Sequence, residues 1–311
     1  LAADFRYLED IHMRFLIFGF ALLLTGMVQP VVAQEELTQE EQKYLNWAKQ
    51  LWESLDRQQG EIKLPNGVAT LNVPEQFYYL NPDDAQKVLV EVWNNPPGIK
   101  KLGMLFPAHA TPFDADVWGV EIDYEQDGYV SDENADTINY DDLLVEMQQT
   151  VNDANAERVE AGYDRIQLLG WAAKPYYDRT AHKLHWAKEL RFGDQQESTL
   201  NYNIRILGRK GVLLLNFIAN MDQKTNVETN LDTVLRMAEF DEGSRYEDFD
   251  PDMDQVAAYG IGALVAGKVL AKTGLIAVLL VFLKKFGVVI IIGIGALLSK
   301  LFKRKPKASQ I

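Results

Sequence analysis

The sequence predicts an α+β fold, an antiparallel β-meander packed with amphipathic helices and followed by a C-terminal membrane helix region. Three observations carry this. Residues 166–219 alternate apolar and polar positions between turn signals, the period of strands. Four other stretches space apolar residues three and four apart, the period of helices. Residues 256–302 are almost wholly apolar and contain no Asp or Glu.

Residues 1–12 are polar and acidic, and read as an over-extended start ahead of Met13. Met13-Arg14, a short apolar core and the small residues Val31-Val32-Ala33 mark a signal peptide over 13–33, with cleavage expected after Ala33. The acidic extracytoplasmic domain is expected over 34–250. Thr38 and Glu41 make a capping box, and the helix behind it turns Tyr44, Trp47, Leu51 and Leu55 to one side. Two short alternating runs joined through Asn66-Gly67 form a hairpin. Asn81-Pro82-Asp83-Asp84 caps a second helix with Val88, Leu89 and Val92 inward. Residues 103–107 and 117–124 read as strands. A third helix starts at Asn139 or Tyr140, carries Leu143, Leu144, Met147, Val151 and Ala154, and ends at Gly162.

In the meander, Leu184, Trp186, Leu190 and Phe192 alternate with His185, Glu189 and Arg191. Leu200, Tyr202, Ile204 and Ile206 alternate with Asn201, Asn203 and Arg205, and Gly208-Arg209-Lys210-Gly211 turns into 212–219. One wet face is the expectation. A last helix over 226–238 packs Leu231, Val234 and Leu235.

The chain has no Cys, which excludes a disulfide scaffold, a thiol nucleophile and thiolate metal sites. Its charge is segregated. Nine Lys or Arg and no acids follow residue 255, whereas 34–255 hold 20 bases against 42 acids, a net of −22. Such a domain repels nucleic acid, and no nucleic-acid partner is expected. A bilayer helix needs about 20 apolar residues, and 274–302 supply them around the Lys284-Lys285 pair. One span, a tilted span with its lysines on a partner, and a helical hairpin all fit; the basic tail, 303–311, favours one net crossing with that tail in the cytoplasm. The expected place is the bacterial inner membrane, main domain periplasmic, with the lipid bilayer as partner. Ala263, Gly267 and Ala271 make a small-residue stripe suited to self-association, or simply a helix rich in small residues. Asp248, Asp250, Asp252 and Asp254 read as a solvated linker.

Two groups of residues are site candidates. A polar ligand is expected on His185, Glu189, Arg191, Asn201, Asn203 and Arg205, with Arg191 opposite Asn201 and Glu189 opposite Asn203; ordinary cross-strand pairing explains the same residues. Asp123, Glu125 and Asp127 stand at positions one, three and five of a calcium-loop pattern with Gly128 at six. Position twelve is Asn134 instead of Glu, and a strand precedes the loop, so an acidic glycine turn accounts for it too. No cofactor is expected, calcium being the alternative. His182 and His185 fall on opposite faces of a strand and make a poor metal pair. No nucleophile elbow, phosphate loop or zinc-helix motif occurs.

The chain resembles a bacterial family of uncharacterised membrane-anchored proteins, the DUF2167 type of domain of unknown function. The likeness rests on Gly67-Val68-Ala69-Thr70-Leu71, Asp127-Gly128-Tyr129-Val130, Gly170-Trp171, the run from His182 to Leu190, and Leu200-Asn201-Tyr202-Asn203 through Gly211. It implies an envelope location with a signal peptide and C-terminal membrane segment, and no activity. The meander, helix and a short strand near 246–249 also resemble the sandwich of photosystem extrinsic PsbP-type and Mog-type proteins, as a fold only. The function expected is a non-enzymatic binding or scaffolding module for an envelope protein partner. A small-ligand or cation sensor, and an undescribed hydrolase, are the alternatives.

Overall fold

The computed structural model describes residues 38–98 and 100–266. The Thr38–Glu41 capping box closes in both directions, at 2.7 and 3.2 Å, and starts α1, Gln39–Ser54. After the short strand β1 (Arg57–Gln58) comes the hairpin of β2 (Gly60–Lys63) and β3 (Ala69–Val73), whose turn uses Gly67 at a left-handed φ of 68°. β4 (Phe77–Leu80) leads into α2 (Pro82–Lys87), where the Asn81 side chain accepts from the N–H groups of Asp83 and Asp84. α2 continues as a π-helical turn, Val88–Val92, that seats Val88 and Leu89 in the core. β5 (Gly103–Pro107) and β6 (Gly119–Glu125) precede the long helix α3 (Tyr140–Glu160), capped by Asn139. The meander strands follow, β7 (Ile166–Asp178), β8 (Lys183–Phe192), β9 (Thr199–Leu207) and β10 (Val212–Asn220). The described chain ends with α4 (Lys224–Met237), β11 (Ala238–Phe240) and the short α5 (Ile261–Ala266).

Eight strands form one antiparallel sheet in the order β1-β4-β5-β6-β10-β9-β8-β7, and β11-β3-β2 form a second. The α+β class and the meander are as the sequence predicts. The single wet face is not. One face of the large sheet packs on the small sheet and α4 through Ala187, Leu200, Tyr202, Ile204, Leu215 and Phe217. The opposite face carries two separate apolar patches. Leu184, Trp186 and Leu214 meet Met147 of α3 and Ile261 and Leu264 of α5. Tyr78, Leu80, Met104 and Phe106 lie with Ala85, Val88 and Leu89 from α2 and its π-turn.

This layering also corrects the register. Glu189 pairs with Leu200, Lys188 with Asn201 and Trp186 with Asn203, three residues from the expected alignment. Alternation reveals which residues share a face within a strand, but not which layer that face meets. Here the apolar set of β8 packs toward α3 and α5, while that of β9 packs toward the small sheet.

The expected anchor boundary at Val256 moves as well. Val256 bridges Tyr129 in parallel, and Ala257 N–H donates to the Tyr129 carbonyl at 2.8 Å. Ile261, Leu264 and Val265 are 1, 6 and 3 % exposed within the domain. Residues 256–266 thus belong to the folded body; burial of each such side chain contributes about 1.5–3 kcal/mol. The acidic run before them is not a loose linker either, because Asp254 accepts from Arg209 Nε at 2.6 Å and its side chain is 1 % exposed. Residues 246–248 form a 3₁₀ turn where a strand was expected. Among the described residues no helix is long and apolar enough to cross a membrane. The expected signal peptide, the expected anchor beyond 266, Gly267 and Ala271, and the basic tail lie outside the described residues; Ala263 is half-buried in α5.

Candidate functional site

Between the two apolar patches a polar strip crosses the large sheet. Directly paired residues share a face, so the register writes the strip out row by row. Trp186, Asn203, Asn216 and Glu121 form one row; Leu184, Arg205, Leu214 and Asp123 the next; Lys188 and Asn201 begin a third. Asn203 and Arg205 are buried, at 3 and 9 % exposure. The Arg205 guanidinium lies 4.9 Å from the Trp186 ring centre, a cation–π contact. Its Nη1 donates to Asn216 Oδ1 at 2.9 Å and to the Ile204 carbonyl at 3.1 Å. Asn216 Nδ2 donates in turn to Glu121 Oε1 at 3.4 Å. Lys101 closes the far end, with Nζ 2.9 Å from both Glu121 and Asp123. Asn203 Nδ2 donates to Asn201, to its carbonyl at 2.8 Å and its Oδ1 at 3.0 Å.

Burial, opposed by Glu125, Glu121 and Asp123, pushes the Arg205 guanidinium down from its ordinary value. Burial first, then the Arg205 charge, pulls the Lys188 ammonium down to about 8. Among the described residues the Lys188 side chain makes no hydrogen bond or ion pair, and the buried Trp186 Nε1 has no hydrogen-bond partner. What the strip can do chemically is offer a polar group the donors of two cations at one end, beside the buried Trp186, and paired carboxylates at the other.

The structure splits the predicted ligand set. Asn201, Asn203 and Arg205 are in the strip. His185, Glu189 and Arg191 are on the opposite face, where Glu189 Oε1 accepts from Ser198 Oγ at 2.6 Å. Burial, then the Lys183 charge, lowers the His185 imidazole. Lys188, Asn216, Glu121 and Lys101 are strip members that sequence reasoning missed. For Asn216 the signal was present, a polar residue two from Leu214 and Ile218 in an apolar strand.

The residues of the calcium-loop pattern are dispersed. Asp123 and Glu125 stand in β6, paired with β10, and Asp123 is engaged by Lys101. Asp127 accepts from Tyr259 Oη at 2.6 Å. Among the described residues no three His, Asp or Glu side chains gather as metal ligands. His182 sits in the β7–β8 turn at φ 50°, outside the strand alternation expected of it. Its Nδ1 is 3.3 Å from Tyr177 Oη, which donates to Asp132 Oδ2 at 2.8 Å, and its ring lies 4.1 Å from that of Tyr246. That cluster fastens residues 129–132 and Tyr246 to the meander. A hollow of about 400 Å³ opens elsewhere, between the β3–β4 connection and α4. Its single charged lining group, Arg236, is occupied by Thr233, so the strip is the richer chemical site.

A two-sheet α+β sandwich with helices over one face and a polar strip between them is the class the fold defines. The chain belongs to the family described as "Protein of unknown function (DUF2167)", whose model matches residues 56–295. No curated protein matches it. Among solved structures it is similar to the solution structure of cyanobacterial PsbP (CyanoP) from Synechocystis sp. PCC 6803, with a TM-score of 0.32 and 14 % identity, over 60 % of this chain and 93 % of that one.

Proposed function

We propose that this chain is an envelope module of the bacterial inner membrane, with its acidic domain periplasmic and its basic tail cytoplasmic, and that the polar strip binds a small polar ligand. The strip carries the reading. Polar side chains cross a sheet face that is otherwise apolar and covered by helices, and Asn203 and Arg205 are kept there at the expense of burial. The charge segregation along the sequence supports the placement.

Two measurements test it. A reporter fused after Ile311 is expected to be active only on the cytoplasmic side, with the protein resisting carbonate extraction; a periplasmic signal or release by carbonate sinks the placement. The full chain in micelles is then heated with a panel of amino acids, short peptides, sugars and their acidic derivatives. A ligand at 100 times its Kd stabilises by about 2.7 kcal/mol, roughly 5–10 °C for a domain of this size. The gain is expected to vanish in Asn203→Leu. A panel without a single stabilising member, or one whose hits survive that substitution, rules the strip out as the binding face.

A further inference from the structure

One end of the strip has more donors than acceptors. Arg205 uses Nη1 on Asn216 and Ile204, while Lys188 and Trp186 Nε1 donate to nothing among the described residues. Lys188 is two residues along β8 from Trp186 and therefore on its face. The Arg205 guanidinium lies over the Trp186 ring, and its charge is felt at Lys188. The nearby acceptors are taken. Asn201 Oδ1 receives Asn203 Nδ2, and Glu121 and Asp123 are each bound to Lys101.

We infer that the strip above Trp186 receives an oxyanion group, the carboxylate or phosphate of a small ligand, between the Lys188 ammonium and the Arg205 guanidinium. This deepens the reading of the strip as a binding face and rests on it. A neutral guest leaves the two cations repelling each other, and a cationic guest adds to the repulsion. An oxyanion accepts from both cations through charge-assisted bonds and offers the indole N–H an acceptor. The lowered Lys188 ammonium agrees with an unfilled anion site. The remainder of the domain carries a net negative charge, so an anion held here is held by these two cations against the field of the rest.

The probes are sodium phosphate and sodium acetate, with sodium chloride at matched ionic strength, titrated at pH 7 into the full chain in micelles. Tryptophan fluorescence and thermal unfolding are followed together. A saturable response to phosphate or to acetate, absent with chloride and weakened about tenfold or more in Lys188→Met, is the expected result; which salt acts distinguishes a phosphate-bearing from a carboxylate-bearing ligand. Circular dichroism verifies that Lys188→Met is folded, and Lys188→Gln replaces it otherwise. No saturation beyond the chloride control, or equal affinity in wild type and variant, overturns the inference. If a neutral member of the wider panel binds while both oxyanions fail, the inference falls and the binding face stands. If nothing binds, both fall.

Discussion

Lys188 keeps its ammonium where burial and the Arg205 charge both disfavour it, so its proton is shed at about pH 8 in the folded chain. The unfolded chain holds the same proton up to its ordinary 10.5. Between those values the unfolded state binds more protons, and stability therefore rises with pH across that window. The whole deficit is present below pH 8. Lys188→Met removes it, and the variant is expected to be more stable than wild type at pH 7 by on the order of 3 kcal/mol, at about 1.36 kcal/mol for each pH unit between the two values. The advantage should shrink steadily between pH 8 and 10.5. Urea unfolding of both proteins at stepped pH, read as their difference, removes the contribution of tyrosines such as Tyr79, whose hydroxyl burial pushes up to about 12. A variant no more stable than wild type at pH 7 contradicts the placement of Lys188. A residue that weakens the fold at neutral pH is a reason to look for a compensating anion.

α5 is the element that the sequence assigns to a membrane region and the structure packs into the folded body. Leu264 is 6 % exposed among Val130, Leu168 and Trp186. Leu264→Ala is expected to destabilise the domain by about 2–5 kcal/mol in denaturant melts of the full chain; no change would return α5 to the bilayer. The sequence could not make this distinction, since an apolar run looks alike whether protein or hydrocarbon covers it. Other elements were legible because their causes are local. Thr38 and Asn81 cap the helices they were expected to cap, Asn139 caps the helix expected to start at 139 or 140, and Asn66-Gly67 turns the hairpin. β11 was missed because Ala238–Phe240 follows the end of α4 directly and becomes a strand through its pairing with β3. Half of the ligand cluster was misplaced for the same kind of reason. Its residues are polar in phase with their own strands, and only the packing of a second sheet on Leu200 and Tyr202 decides that Glu189 faces away from Asn201.

At the scale of the molecule, the chain leading out of the domain is strapped to it. Asp254 is held by Arg209, Tyr259 by Asp127, and Val256 by Tyr129. Any tether beyond residue 266 therefore starts from a fixed point on the body. Gly128 is the place where the strap is most sensitive. At φ 98° it has no side chain to block Gln255, whose carbonyl oxygen is 2.5 Å from where a Cβ would stand. Gly128→Ala must displace the strap and also strain the backbone, destabilising by more than about 1 kcal/mol. Gly162 isolates the strain, for it has a similar φ of 84° and nothing within 4 Å of a Cβ. Hydrogen exchange on the full chain should accelerate over 254–266 in Gly128→Ala and stay at the wild-type rate there in Gly162→Ala. Acid should act like the first variant. The Arg209 hydrogen bond holds the Asp254 carboxyl below its ordinary 3.8, so the tie is intact above that value and is lost as pH falls through the lowered one. Equal exchange over 254–266 in the two glycine variants would mean that the strap carries no strain from Gly128.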